Sequence, residues 1–291
     1  MFFGREVLKM NKYAALLMIA LLPATVSAGW FWNDDKPAVK TAEKGNRYSQ
    51  SFYNVKRVML DKIYYDHRQT LYCGAEFDKH KQIITPRGFK LPNIRKVDFK
   101  VYDISPEELQ NKAERMEWEH IVPAENFGRT FNEWSNGHKN CVSNKGKHFK
   151  GRSCAEQESE AFRYMFADMY NLYPAIGAVN YLRSNFNFTQ FNRKDNVKNL
   201  FVSCELKISR NRVEPRDEIK GLIARTYFYM EDTYPRYKIG EPMRGVLKAW
   251  AKTYPVTRWE CERAYRIEKV QGNPNKIVKK ECQNKGLYNL N

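Results

Sequence analysis

One stretch of the chain sets charge into an otherwise apolar, β-prone run: Met116-Glu117-Trp118-Glu119-His120-Ile121-Val122-Pro123. A glutamate is rarely buried without a partner, and histidine is the one side chain whose ordinary pKa permits base chemistry near neutrality. Glu119 and His120 are therefore candidates for a hydrolytic centre, although incidental charge on an exposed edge strand accounts for the octapeptide equally well. In an ideal strand the two would point to opposite faces, so a shared site requires the strand to end or bend here. Pro123 suits an ending.

A second group runs from Asp168 to Asn180. A short strand over 171–173 and Pro174 as the first residue of a helix give a strand, turn and helix in sequence, with Asn180 inside the helix. Asparagine has poor helix propensity and is usually a surface residue or a local hydrogen-bonder. Its carbonyl oxygen is also a hard donor of the kind that, with a carboxylate, holds Mg²⁺, which takes few protein oxygens and completes its shell with water and phosphate. The His-Glu-x-x-His pattern of zinc proteases, the Gly-x-Ser-x-Gly elbow of a secreted esterase and a glycine-rich nucleotide loop are all absent, which disfavours those classes.

The elements that must position these residues are legible in outline. Apolar spacing predicts a helix over 52–65, β-prone runs over 70–77 and 82–85, and a turn at Pro86-Arg87-Gly88. Ser105-Pro106-Glu107-Glu108 reads as a capped helix start. A lysine- and glycine-rich stretch over 135–153 reads as a long surface loop, and helices are expected over 156–169, 215–234, 243–253 and 257–270. The expected class is α+β, mixed but mainly helical.

Arg5, Lys9 and Lys12 precede the apolar run Ala14 to Leu22, and Val26-Ser27-Ala28 resembles a cleavage site, so residues 1–28 read as a secretory signal, 29–46 as a flexible lead-in and 47–291 as the folded domain. All six cysteines, Cys73, Cys141, Cys154, Cys204, Cys261 and Cys282, follow the signal. An even number in an exported chain favours three disulfides over zinc, there being no Cys-x-x-Cys. Six cysteines allow 15 pairings; Cys141 with Cys154 and Cys261 with Cys282 are plausible local ones. The formal charge is +17, and the signal carries three basic residues and one acid, a net of +2, which leaves +15. Such a surplus attracts a polyanion, without distinguishing DNA from RNA, glycan or an anionic membrane.

Several motifs in order resemble the endonuclease I family: Glu119-His120-Ile121-Val122-Pro123-Ala124, Asp168 to Asn180 with Arg183-Ser184-Asn185-Phe186, Cys141 to Cys154 with Lys150-Gly151-Arg152, Ala224-Arg225-Thr226-Tyr227-Phe228-Tyr229-Met230, and Trp259-Glu260-Cys261. The likeness extends from Arg47 to Gln283. It implies a ββα-metal, or His-Me finger, motif embedded in the domain, with His120 as the base that activates water, Glu119 and Asn180 as metal ligands and Arg152 on the phosphate. An alternative alignment places His138 in that last role. The arginine is preferred because its fork matches phosphate geometry. Gly272-Asn273-Pro274-Asn275-Lys276 departs from the family's usual Asn-Pro placement and leaves the C-terminal loop open. The resemblance further implies a periplasmic or secreted, monomeric deoxyribonuclease; the apolar run of the signal is shorter than the about 20 residues of a spanning helix and no later segment comes close, so the mature chain is not expected to be held at a membrane. It would use Mg²⁺, with Ca²⁺ or Mn²⁺ as alternatives, and cut chiefly double-stranded DNA, with RNA as a further substrate, with little sequence preference, leaving 5′ phosphates. The rival is a basic exported protein that kept the fold and binds polyanions without cutting them. Phe186 and Phe188 are suited to base stacking, but core packing explains their spacing more simply.

Overall fold

The computed structural model describes residues 45–84, 104–201 and 204–288. The signal, most of the lead-in and the Pro86-Arg87-Gly88 turn lie outside them. Among the described residues three small sheets and a set of helices enclose one apolar core. The end of the segment expected to be flexible is anchored: Asn46 is buried, its amide nitrogen donates to the carbonyls of Ser49 and Tyr164, and its backbone N–H donates to the Tyr234 hydroxyl.

Helix α1 (Phe52–Val58) is capped by the Ser51 hydroxyl and continues as a π-helical turn over Met59–Ile63. It packs Val55, Met59 and Ile63, which recur near helical spacing, into the core. The predicted strand over 70–77 shortens to β1 (Glu76–Phe77), antiparallel to β2 (Ile83–Ile84). Helix α2 (Pro106–Ala113) begins as read, with the Ser105 hydroxyl accepting from Glu108 N–H and proline in the first turn.

The centre of the molecule is the antiparallel pair β3 (Met116–His120) and β4 (Leu172–Ile176), in which Trp118 faces Pro174, Glu119 faces Tyr173 and His120 faces Leu172. The expectation for Pro174 is corrected here. It lies mid-strand in a two-stranded sheet, where a missing N–H costs no central ladder bond, and its carbonyl accepts from Leu71 N–H. The helix starts later, as α7 (Gly177–Arg183). A Cβ at Gly177 would meet the Lys112 carbonyl at 2.6 Å, so glycine lets α7 close against the end of α2.

Between the strands lie α3 (Ala124–Gly128), α4 (Asn132–Ser135), α5 (Arg152–Glu158) and α6 (Glu160–Phe166). The single helix expected over 156–169 is thus two, broken at Ser159, which is extended and caps α6 through its hydroxyl. A third sheet orders β5 (Asn187–Phe188), β7 (Arg212–Pro215) and β6 (Leu206–Ser209), with β7 central. Helix α8 (Asp217–Thr233) is buried along most of its surface, flanked by α9 (Met243–Thr253), α10 (Arg258–Gln271) and α11 (Lys276–Asn284). The departing 272–276 segment caps α11, with the Asn275 side chain accepting from Val278 N–H.

Three disulfides join Cys73 to Cys204, Cys141 to Cys154 and Cys261 to Cys282. The last two are the local pairs; the first spans 131 residues and ties the β1 region to β6. Asp168 is fully buried and serves the core: its carboxylate accepts from Tyr229, Tyr234, Gln271 and Tyr170 N–H. Phe188 is core too, edge-on to Tyr227 and Trp250.

Candidate active site

The strand β3 ends at His120 because Asn171 captures the next two residues. Ile121 N–H donates to the Asn171 carbonyl at 3.1 Å, Val122 N–H donates to the Asn171 side-chain oxygen at 2.8 Å, and the Asn171 amide returns a bond to the Val122 carbonyl at 3.0 Å. The pleat stops there, and both Glu119 and His120 line one cleft of about 520 Å³ with Asn180, Arg152, Arg183, Phe52 and Phe166.

The His120 Nε2 lies 2.8 Å from the Phe166 carbonyl. A carbonyl only accepts, so Nε2 carries the hydrogen and Nδ1 is the nitrogen left able to take a proton. The ring stacks on Phe166 at 4.6 Å and 12°, with Phe52 tilted against it at 5.1 Å. Burial pushes its pKa down to about 3, against the Phe166 carbonyl, which raises it, and with Arg152 and Arg183, which lower it. The imidazole is neutral throughout the neutral range.

Glu119 is 4% exposed, yet it is paired. Its Oε1 accepts from the Tyr72 hydroxyl at 2.8 Å and lies 2.9 Å from Arg183 Nη1. Burial raises its pKa, while Arg183 and then Tyr72 hold it down. With Oε1 so engaged, Oε2 is the oxygen available to a cation. Arg183, 1% exposed, also donates to the His120 carbonyl at 2.9 Å and the Ile121 carbonyl at 2.6 Å. One guanidinium thus orients the carboxylate and fixes the backbone where the strand ends.

Asn180 reaches the cleft from α7, and its amide nitrogen donates to Glu117 Oε2 at 3.0 Å. Since a carboxylate accepts, the nitrogen must face Glu117, and Oδ1 is the atom turned elsewhere. Glu117 is itself steadied by Lys112 at 3.1 Å. Among the described residues no cluster of three or more His, Cys, Asp or Glu side chains could hold a metal. The donors here, one carboxylate oxygen and one amide oxygen, fit a hard divalent ion that keeps most of its waters.

Arg152 opens α5 directly after Gly151, whose φ of 83° places it in the left-handed region. Its guanidinium lies 5.6 Å from the centre of the same Phe166 ring that stacks on His120. The Cys141–Cys154 disulfide ties the preceding loop to this helix. His138 is not among the residues lining the cleft: its Nδ1 lies 3.1 Å from the Glu158 carboxylate. The structure therefore gathers Glu119, His120, Asn180 and Arg152, and leaves His138 aside.

Local sequence pattern assigns no role to Tyr72, Glu117, Phe166 or Arg183. For Arg183 a signal was present, since it follows Asn180 by three positions and so shares its helix face. For Tyr72 and the Phe166 carbonyl no local signal exists.

The family model for Endonuclease I matches residues 50–282. A periplasmic deoxyribonuclease of Aeromonas hydrophila is 36% identical over 239 residues, which is 81% of this chain and 88% of the relative. An extracellular deoxyribonuclease of Aeromonas hydrophila is 36% identical over 77% of this chain and 86% of its own. Endonuclease-1 of Buchnera aphidicola subsp. Acyrthosiphon pisum is 35% identical, with 81% and 83% covered. A match of this extent, laid over a cleft that gathers those four side chains, means that the chain belongs to the endonuclease I family.

Proposed function

We propose that the protein is an exported, metal-dependent deoxyribonuclease that hydrolyses phosphodiester bonds in DNA, with His120 as its base. The observation that carries this reading is the His120 tautomer: the carbonyl bond on Nε2 leaves Nδ1, in the cleft beside Glu119, Asn180 and Arg152, as the nitrogen that takes a proton. Names of relatives as periplasmic and extracellular deoxyribonucleases support the substrate and the export, and no helix among the described residues is long and apolar enough to cross a membrane.

Water attacks phosphorus as His120 takes its proton; the P–O3′ bond breaks, the departing oxygen takes a proton from solvent water, and the ends become a 5′ phosphate and a 3′ hydroxyl. General-base help of this kind is worth about 10² to 10⁴ in rate. Arg152, exposed at the start of α5, pairs with the phosphate through its fork. Glu119 and Asn180 would hold a divalent cation, Mg²⁺ foremost, which when bound relieves charge on the phosphate and on the departing oxygen. Arg183 and Tyr72 oppose the effect of burial on Glu119 and aim its carboxylate. Contacts to phosphates carry no sequence information, so cleavage is expected to be nearly sequence-independent.

The test is plasmid digestion by purified protein with Mg²⁺, with EDTA, and with a Glu119→Ala variant, the ends being assayed for ligation by DNA ligase. Nicking in Mg²⁺ alone, ligatable 5′ phosphates and a variant needing far more metal are expected. Equal digestion in EDTA would refute the metal assignment.

A further inference from the structure

The reacting cleft continues. Glu125 and Asn185 line both it and a second cavity of about 710 Å³, walled by α3, the residues around β5, the turn before β7 and the segment leading into α9. Charge in this second cavity is uneven. Arg129 is neutralised by Glu125, to which its Nε donates at 2.9 Å, and Glu241 by Arg244 at 2.8 Å. Arg212 and Lys238 remain, both exposed and neither in an ion pair among the described residues. Arg212 stands directly after a tight turn: Arg210 and Asn211, at φ 48° and 58°, form the two-residue hairpin between β6 and β7, and the guanidinium lies 5.5 Å over the Phe191 ring. Asn187 and Asn211 add amides that both donate and accept.

We propose that this second cavity is the subsite for the DNA strand beyond the scissile phosphate, with Arg212 and Lys238 on flanking phosphates and the asparagine amides on sugar and base edges. The inference rests on reading the neighbouring cleft as the nuclease centre. Two cations held apart from the reacting residues raise affinity for a long polyanion without touching the chemistry. Amides that both donate and accept tolerate any base edge, in keeping with indifference to sequence.

The experiment compares the Arg212→Ala/Lys238→Ala protein with the parent on two substrates: a duplex oligonucleotide and thymidine 5′-(p-nitrophenyl phosphate), a diester small enough to occupy the reacting cleft alone. For the duplex, kcat/KM should fall roughly tenfold, carried by KM, while the small diester is cleaved at the parent's rate. Duplex Kd is measured in a His120→Ala background against NaCl concentration. The slope of log Kd against log salt should shrink by about 2, one for each phosphate no longer neutralised. A Lys252→Ala/Lys269→Ala control loses the same charge elsewhere and should keep the slope. Equal loss on both substrates, or an unchanged slope, overturns the proposal. Failure of the parent to cleave either substrate sinks the nuclease reading instead, and the slope still decides the groove.

Discussion

Replacing Arg183 by methionine removes the group that reconciles a buried carboxylate with an apolar surround. Arg183 reaches Glu119 at 2.9 Å and the carbonyls of His120 and Ile121 at 2.9 and 2.6 Å. Stranding one partner of a buried ion pair costs about 3 to 5 kcal/mol, and an unsatisfied buried carbonyl adds about 1 to 3 kcal/mol. Tyr72 stays on Oε1 and the cleft lets water reach Glu119, so a net loss of about 4 kcal/mol is expected, within the usual stability of a domain this size. Burial already raises the Glu119 pKa, and losing Arg183 raises it further above the unfolded value. The penalty is then fully present above the folded pKa and shrinks as pH falls toward the unfolded one, because protonation discharges the stranded group. Urea unfolding in EDTA at pH 8 and pH 5, with disulfides intact, reads both effects. The Glu119→Gln/Arg183→Met pair should cost only about 2 kcal/mol, because a neutral amide tolerates the site. A pair that costs as much as the two single changes added together would refute the coupling.

Other outcomes follow from the same geometry. The folded pKa of His120 lies near 3 against an ordinary 6.5, so its contribution is complete above pH 6.5 and is lost as pH falls toward 3. In EDTA the parent should lose about 2 kcal/mol more than His120→Ala between pH 6.5 and 4.5, the ring's partial opening on the cleft trimming the full linkage; parallel stability curves would contradict a neutral buried ring. In the chain-entropy model the 131-residue loop closed by Cys73–Cys204 is worth about 5 kcal/mol, and the 13-residue loop closed by Cys141–Cys154 about 3 kcal/mol. Paired serine replacements at each bridge, compared by thermal unfolding, should rank in that order. The shorter bridge should still cost more activity relative to stability, because it ties down the loop that delivers Arg152.

Much of the candidate site was legible because charge and polarity interrupt pattern. Glu119 and His120 stand out in an apolar strand, and Asn180 in a helix, since each is poorly placed there unless it has a partner. The helices with caps or strong periodicity, α2, α9 and α10, begin within a residue or two of their expected positions. What failed depends on partners remote in sequence. Pro174 suits a helix start by local preference, but β3 recruits it into a strand. Ser159 splits a periodic segment by capping the helix after it. The Phe166 carbonyl, which sets the His120 tautomer, and Tyr72, which steadies Glu119, are ordinary residues whose roles come from the fold alone.

The central claim is that a neutral His120, its Nε2 held by Phe166, activates the water that cuts DNA. Its most direct test is supercoiled plasmid in Mg²⁺ at neutral pH, digested by the parent and by His120→Ala at equal concentration of folded protein. Loss of a general base predicts a fall of about 10² to 10⁴ in nicking rate with duplex affinity retained. Nicking by His120→Ala at the parent's rate would contradict the account.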